Sequence, residues 1–110
     1  MEIRETKTDQ CVIIGIAGRL DTTNYNQLES KLSELIGNQH VNILVECSEM
    51  DYVSSSGLRI FLMALKKITS ENGKFALCCL QDSIRELFEI SGFTSVFELH
   101  PSVADALKVF

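Results

Sequence analysis

The sequence predicts a mixed, mostly parallel β-sheet with an N-terminal hairpin, covered by about four helices, with residues 1–110 forming a single domain. Three observations carry that expectation. Short, nearly continuous apolar runs at Cys11–Ala17, Val41–Cys47 and Phe75–Leu80 have the length and composition of buried strands. Between them lie longer stretches whose apolar residues recur at helical spacing, and strands alternating with helices imply parallel pairing. Finally, 110 residues with 45% hydrophobic and 23% charged composition can bury a real core without disulfide or metal support.

Residues Glu2–Thr6 alternate weakly between polar and apolar, and Thr8-Asp9-Gln10 supplies turn chemistry before Cys11-Val12-Ile13-Ile14-Gly15-Ile16-Ala17. The first segment reads as an edge strand hairpinned to a central one, which Gly18-Arg19-Leu20-Asp21 ends. Asp21, Thr22 and Thr23 are suitable helix N-caps, and Tyr25, Leu28, Leu32, Leu35 and Ile36 mark one helical face up to Gly37-Asn38. Val41–Cys47 is the next strand, followed by a turn-prone stretch from Ser48 to Asp51.

A second helix opens at Ser55, with Leu58, Phe61, Leu62, Leu65 and Ile68 as its buried stripe, and ends near Glu71-Asn72-Gly73. Phe75–Leu80 forms a further strand. Ser83-x-x-Glu86 has the form of a capping box opening a third helix, which Gly92 stops. Val96–Leu99 reads as a short last strand, and Pro101-Ser102 begins a final helix presenting Val103, Ala106, Leu107 and Phe110.

Composition excludes several functions. Fifteen acidic residues against ten basic ones, with no basic stripe, give a charge of −5 and argue against nucleic acid as a partner. The opening MEIRETKTDQ is too charged for a signal peptide, and no apolar stretch reaches the roughly 18 residues of a membrane span. A cytoplasmic protein without direct membrane insertion is expected. Cys11, Cys47, Cys78 and Cys79 lack the Cys-x-x-Cys spacing of zinc or redox sites and read as buried reduced thiols. His40 and His100 stand far apart and read as surface residues, so neither a metal nor a cofactor is expected.

The stretch Asp51-Tyr52-Val53-Ser54-Ser55-Ser56-Gly57-Leu58-Arg59 leads from a strand and turn into a helix. A serine at a helix start can simply cap exposed N–H groups. The same N–H groups and the positive helix end also tolerate a phosphate. Both readings stand on the residues alone.

Gly18-Arg19-Leu20-Asp21, Ser54-Ser55-Ser56-Gly57-Leu58 and Ser91-Gly92-Phe93 together resemble the signature segments of STAS domains, the family of sulphate transporters and anti-sigma-factor antagonists. The similarity spans nearly the whole chain. In its antagonist branch it implies a binding module, not an enzyme, whose partner is an anti-sigma factor that is also a serine kinase. Alignment on Gly57 makes Ser55 the phosphorylated position, ahead of Ser54 and Ser56. The resemblance also implies a partner-binding surface of Asp21, Thr22, Asn24, Tyr52, Val53, Ser54, Ser55, Ser56, Gly57 and Arg59. One departure stands out: Ser54 replaces the family's aspartate, which removes a negative charge beside the acceptor.

Two enzymatic chemistries compete with this reading. Cys79-Leu80-Gln81-Asp82-Ser83-Ile84-Arg85 has the Cys-x5-Arg spacing of tyrosine phosphatases, but the loop holds no glycine and Asp82 sets a carboxylate where a dianion would bind. The serine tract lacks the Gly-x-Ser-x-Gly elbow of hydrolases. An alternative within the family is an unphosphorylated STAS subunit serving as a structural or transport-associated module.

Overall fold

The computed structural model describes residues 1–110. Its strands form one five-stranded sheet in the order β1-β2-β3-β4-β5, so neighbours in the sheet are neighbours in the chain. Strand β1 (Glu2–Lys7) runs antiparallel to β2 (Val12–Leu20), pairing Glu2 with Ala17 and Lys7 with Val12. Strand β2 then pairs in parallel with β3 (Asn42–Val53), β3 with β4 (Lys74–Cys78), and β4 with β5 (Glu98–His100). The expected hairpin-led mixed sheet is the one that forms.

Helices α1 (Tyr25–Gly37), α2 (Ser55–Ser70) and α3 (Asp82–Ile90) are the crossovers between successive parallel strands. Right-handed crossovers that step the same way across a sheet deposit their helices on one face. Accordingly Leu28, Leu32, Phe61, Ile68, Ile84 and Phe88 share one core with Ile14, Ile16, Ile43, Val45, Phe75 and Leu77. Phe61, Phe75, Phe88, Phe93 and Phe97 run through it with ring centroids 5.7 to 6.5 Å apart, in tilted and edge-to-face contacts. Helix α4 (Val103–Leu107) alone covers the opposite face, through Val103, Ala106 and Leu107 against Cys11, Leu44, Ala76 and Cys78. The four helices therefore cover the sheet unequally: Arg4, Gly15, Ala17, Glu46 and Glu49 line a shallow cleft on the face that only α4 shields.

Several element boundaries differ from the sequence expectation, each for a local reason. Strand β2 continues through Leu20, and β3 through Val53, so Ser48–Asp51 is strand and not turn. Register shifts between Gly15 and Ala17 and between Gly18 and Arg19 bend this end of the pair. The extra β3 residues break simple alternation, yet Met50 and Val53 still face the core. Strand β4 stops at Cys78 because Cys79 is left-handed at φ 62°. In α2 the buried line is Gly57, Ile60, Phe61, Ala64 and Ile68, leaving Leu58, Leu62 and Leu65 half-buried at its margin. The Ser83 capping box does not form: Gln81 precedes the helix and Ser83 lies inside its first turn. Gly92 does close α3, in a left-handed conformation at φ 79°. A short 3-10 turn at Phe93–Ser95 follows it and delays the last strand to Glu98.

Candidate functional site

Strands β2 and β3 end side by side, with Leu20 opposite Val53. Ser54 follows in an extended conformation; its N–H donates to the Leu20 carbonyl at 2.9 Å, and its Oγ accepts the Gly57 N–H at 3.3 Å. Ser54 is thus the N-cap that turns the chain from strand into α2. Gly57 sets how closely the helix approaches the sheet. A Cβ there would stand 2.7 Å from Leu20 Cγ and 2.9 Å from Val53 Cγ2, so a side chain would push the helix start outward. With Ser54 engaged and Gly57 buried, Ser55 is presented to solvent while Ser54 and Ser56 are half-buried. The first turn of α2 holds no acid, so its unpaired N–H groups keep their positive end.

The other half of the surface is the turn after β2. Asp21 Oδ1 accepts from the Thr23 N–H at 2.9 Å and the Thr23 hydroxyl at 2.6 Å. Those bonds, the hydroxyl foremost, hold the Asp21 carboxyl below its ordinary pKa, with slight burial opposing and Arg19 assisting. Asn24 locks the turn from the other side. Its Oδ1 accepts the Asp21 N–H at 2.9 Å, and its Nδ2 donates to the Arg19 carbonyl at 2.8 Å. The helix N-cap is therefore Asn24, with no side-chain bond into α1, and not Asp21, Thr22 or Thr23. Thr22 is exposed.

Tyr52 and Arg19 face each other across the β2–β3 pair, with the guanidinium 4.0 Å above the ring. Arg19 Nε also lies 3.6 Å from Asp21 Oδ2. Arg59 is exposed one helical turn beyond Ser55. The structure thus gathers the residues implied by the resemblance at one end of the sheet, and it adds Arg19, which sequence reasoning passed over. The signal for Arg19 was its place inside Gly18-Arg19-Leu20-Asp21, though only the strand pairing reveals its stack on Tyr52.

The competing stretch is arranged differently. Cys79 is half-buried, its N–H donating to the His100 carbonyl at 3.1 Å. Arg85 Nη2 donates to Asp82 Oδ1 at 2.9 Å, and its Nε lies 4.0 Å from Glu89, all at the exposed surface of α3. Cys11, Cys47 and Cys78 are buried as expected, and burial pushes all three thiols up. Both histidines are half-buried and not simple surface residues; His100 Nε2 sits 2.9 Å from Glu98 Oε2. No group of three or more His, Cys, Asp or Glu side chains is placed to hold a metal ion, and no helix is long and apolar enough to cross a membrane.

The fold and this surface define a class: small α/β domains with a lead hairpin, helices stacked on one sheet face, and a serine tract at a glycine-anchored helix start. The sequence model of the STAS domain matches residues 2–106, and the chain belongs to that family. BtrV of Bordetella bronchiseptica, provisionally named an anti-sigma factor antagonist, is 33% identical over 110 residues, covering 100% of this chain and 95% of that protein. An anti-sigma-B factor antagonist of Listeria monocytogenes is 27% identical over 99 residues, covering 90% of this chain and 86% of that one. Among solved structures, an anti-sigma factor antagonist from Mycobacterium paratuberculosis superposes with a TM-score of 0.88 at 20% identity, covering 98% and 92% of the two chains. The phosphorylated form of Bacillus SpoIIAA gives 0.77 at 20% identity, covering 97% of each. At such identities the structural likeness speaks for the fold alone.

Proposed function

We propose that this chain is a cytoplasmic anti-sigma factor antagonist, which binds an anti-sigma factor acting also as a serine kinase and is switched off by phosphorylation of Ser55. The observation that carries the reading is the division of labour in the serine tract. Ser54 is used as the cap, whereas the neighbouring Ser55 hydroxyl is exposed at the first residue of α2. The names of its relatives, and the existence of SpoIIAA in phosphorylated and unphosphorylated forms, support the same reading.

The partner docks on the turn Asp21–Asn24, on Tyr52 and Ser54, and on the α2 start with Ser55, Ser56 and Arg59; Val53 and Gly57, implied by the resemblance as contacts, are buried and shape this surface from beneath. A phosphoserine adds about −1.5 to −2 charges and three acceptor oxygens. The helix end tolerates that group locally, so the fold survives, but an interface built round a neutral hydroxyl is recharged and crowded. Each 1.4 kcal/mol lost weakens binding about tenfold, so modest repulsion suffices for release. In this reading the domain has no catalytic role of its own: the Cys79–Arg85 loop holds no glycine, and Asp82, bonded to Arg85 at 2.9 Å, sets a carboxylate where a dianion would bind.

A second reading, a STAS subunit that binds without phosphorylation, draws on Ser54 standing where the family motif has its aspartate. One experiment separates the two. The purified chain is incubated with ATP and the kinase-type anti-sigma factor encoded nearest its gene, and its intact mass is measured. Addition of one phosphate, lost in Ser55→Ala, supports the switch; an unchanged mass despite stable binding supports the unphosphorylated subunit.

A further inference from the structure

The polar end of the sheet contains one cation that is held in place without being used up. Arg19 is stacked on Tyr52, with its guanidinium carbon 4.0 Å from the ring centroid, and Tyr52 is itself 41% exposed. Its contact to Asp21, 3.6 Å from Nε to Oδ2, is too long for a good hydrogen bond, and its Nη atoms donate to nothing in the chain. The Arg19 side chain is 61% exposed. Arg4 is bonded to Glu2 and Glu49, and Arg85 to Asp82; Arg59 is likewise unpaired but stacks on no ring. Arg19 is also anchored at its backbone, through the Asn24 amide on its carbonyl.

A planar guanidinium that is pre-oriented on an aromatic face, with both Nη edges open, matches a carboxylate in a bidentate pair. Arginine and tyrosine are also the residue types that dominate binding energy at interfaces. The surroundings favour the same occupant. The nearby α2 start carries no acid in its first turn and exposes Arg59, while Asp21 and the exposed Asp51 lie on the strand side of Arg19, so a partner carboxylate meets least repulsion from the α2 side.

We infer that Arg19, held over Tyr52, is a specificity-determining contact that receives an aspartate or glutamate side chain of the partner. This rests on the partner-binding reading above and extends it to a residue outside the serine tract. It also gives phosphorylation a second route of action, because a phosphate on Ser55 places negative charge on the same surface as the partner's carboxylate.

The test measures affinity for the kinase-type anti-sigma factor encoded nearest the gene, without ATP, over a range of salt, for wild type, Arg19→Gln, Arg19→Lys and Asp21→Asn. Circular dichroism melting of each variant checks the fold, and the exposed Arg19 side chain should leave it unchanged. Arg19→Gln should weaken binding at least about tenfold and flatten its salt dependence, and Arg19→Lys should restore only part, since an ammonium lacks the planar fork. Unchanged or tighter binding by Arg19→Gln overturns the inference; tighter binding with loss in Asp21→Asn would mean that the partner presents a cation to Asp21 instead. Wild type that fails to bind removes the underlying reading and this inference with it, whereas wild type that binds and accepts phosphate while Arg19→Gln binds equally well removes only the inference.

Discussion

Gly57 meets Leu20 with no room for a methyl group: a Cβ on the glycine would lie 2.7 Å from Leu20 Cγ and 2.8 Å from its Cδ2. Leu20 is fully buried at the end of β2, so it cannot swing aside freely. Gly57→Ala should therefore destabilise the domain by about 1–3 kcal/mol through overpacking, despite alanine's better helix propensity. Urea unfolding measures this. A stabilised variant would show that the helix start shifts outward without cost.

Phe61 anchors α2 from the other side, fully buried and in contact with the rings of Phe75 and Phe97. Phe61→Ala should cost about 3–5 kcal/mol. Leu58→Ala should cost distinctly less, because Leu58 is only half-buried. Comparable losses for the two would place the buried line of α2 on the wrong side.

The contrast between these two positions shows what could be read in advance. The type and order of the strands and main helices follow from periodicity, and so does the opening of α2 at Ser55. The centre of its buried face does not, because Gly57 and Ala64 are small, and smallness says nothing about burial until a neighbouring strand is known to press against them. Ser48–Asp51 looked like a turn for a related reason. Its polar residues occupy the irregular end of β3, where pairing with β2 outweighs local preference. Asn24 and Arg19 were harder still, since a clasp onto another residue's backbone and a stack across two strands leave no periodic trace.

Within the serine tract, cap and acceptor should separate experimentally. Ser54→Ala should cost about 1 kcal/mol, as it removes the acceptor for the Gly57 N–H. Ser55→Ala should leave the melting temperature nearly unchanged, abolish phosphate uptake and retain partner binding. Ser55→Asp should weaken binding only in part, a carboxylate having less charge and fewer oxygens than phosphate. Full-affinity binding by protein stoichiometrically phosphorylated at Ser55 would sink the switch.

Arg59 lies four residues after Ser55 on the same helical face, exposed and outside every ion pair of the chain. A phosphate on Ser55 should therefore titrate below its ordinary second pKa of about 6. Phosphorus NMR of the phosphorylated chain measures that value directly. Arg59→Gln should raise it, and an identical titration in both proteins would remove Arg59 from the account.

Asp21 offers a test in acid. Its carboxyl is held below its ordinary value by the Thr23 hydroxyl and N–H, so the turn's contribution to stability is fully present above the unfolded value of about 3.9. That contribution fades as pH falls through the lower folded value. Thr23→Val, which keeps the shape and removes the hydroxyl, should shift the Asp21 titration upward, as followed by carbon-detected NMR. No shift would assign the effect to the backbone bond alone.

Because the sheet is laid down strand beside strand in the order of synthesis, a ribosome delivers this domain as a growing ribbon, each new edge meeting the one just made. Every residue of the proposed binding surface precedes Ser70, the end of α2. The surface can therefore be assembled while the rest of the chain is still emerging, with only neighbouring segments to close. What arrives later, α3 and the Phe93–Phe97 aromatic cluster, seals the far side of Phe61. A nascent chain from which Ser70 has just cleared the ribosome should expose the binding face before it is stable enough to keep it.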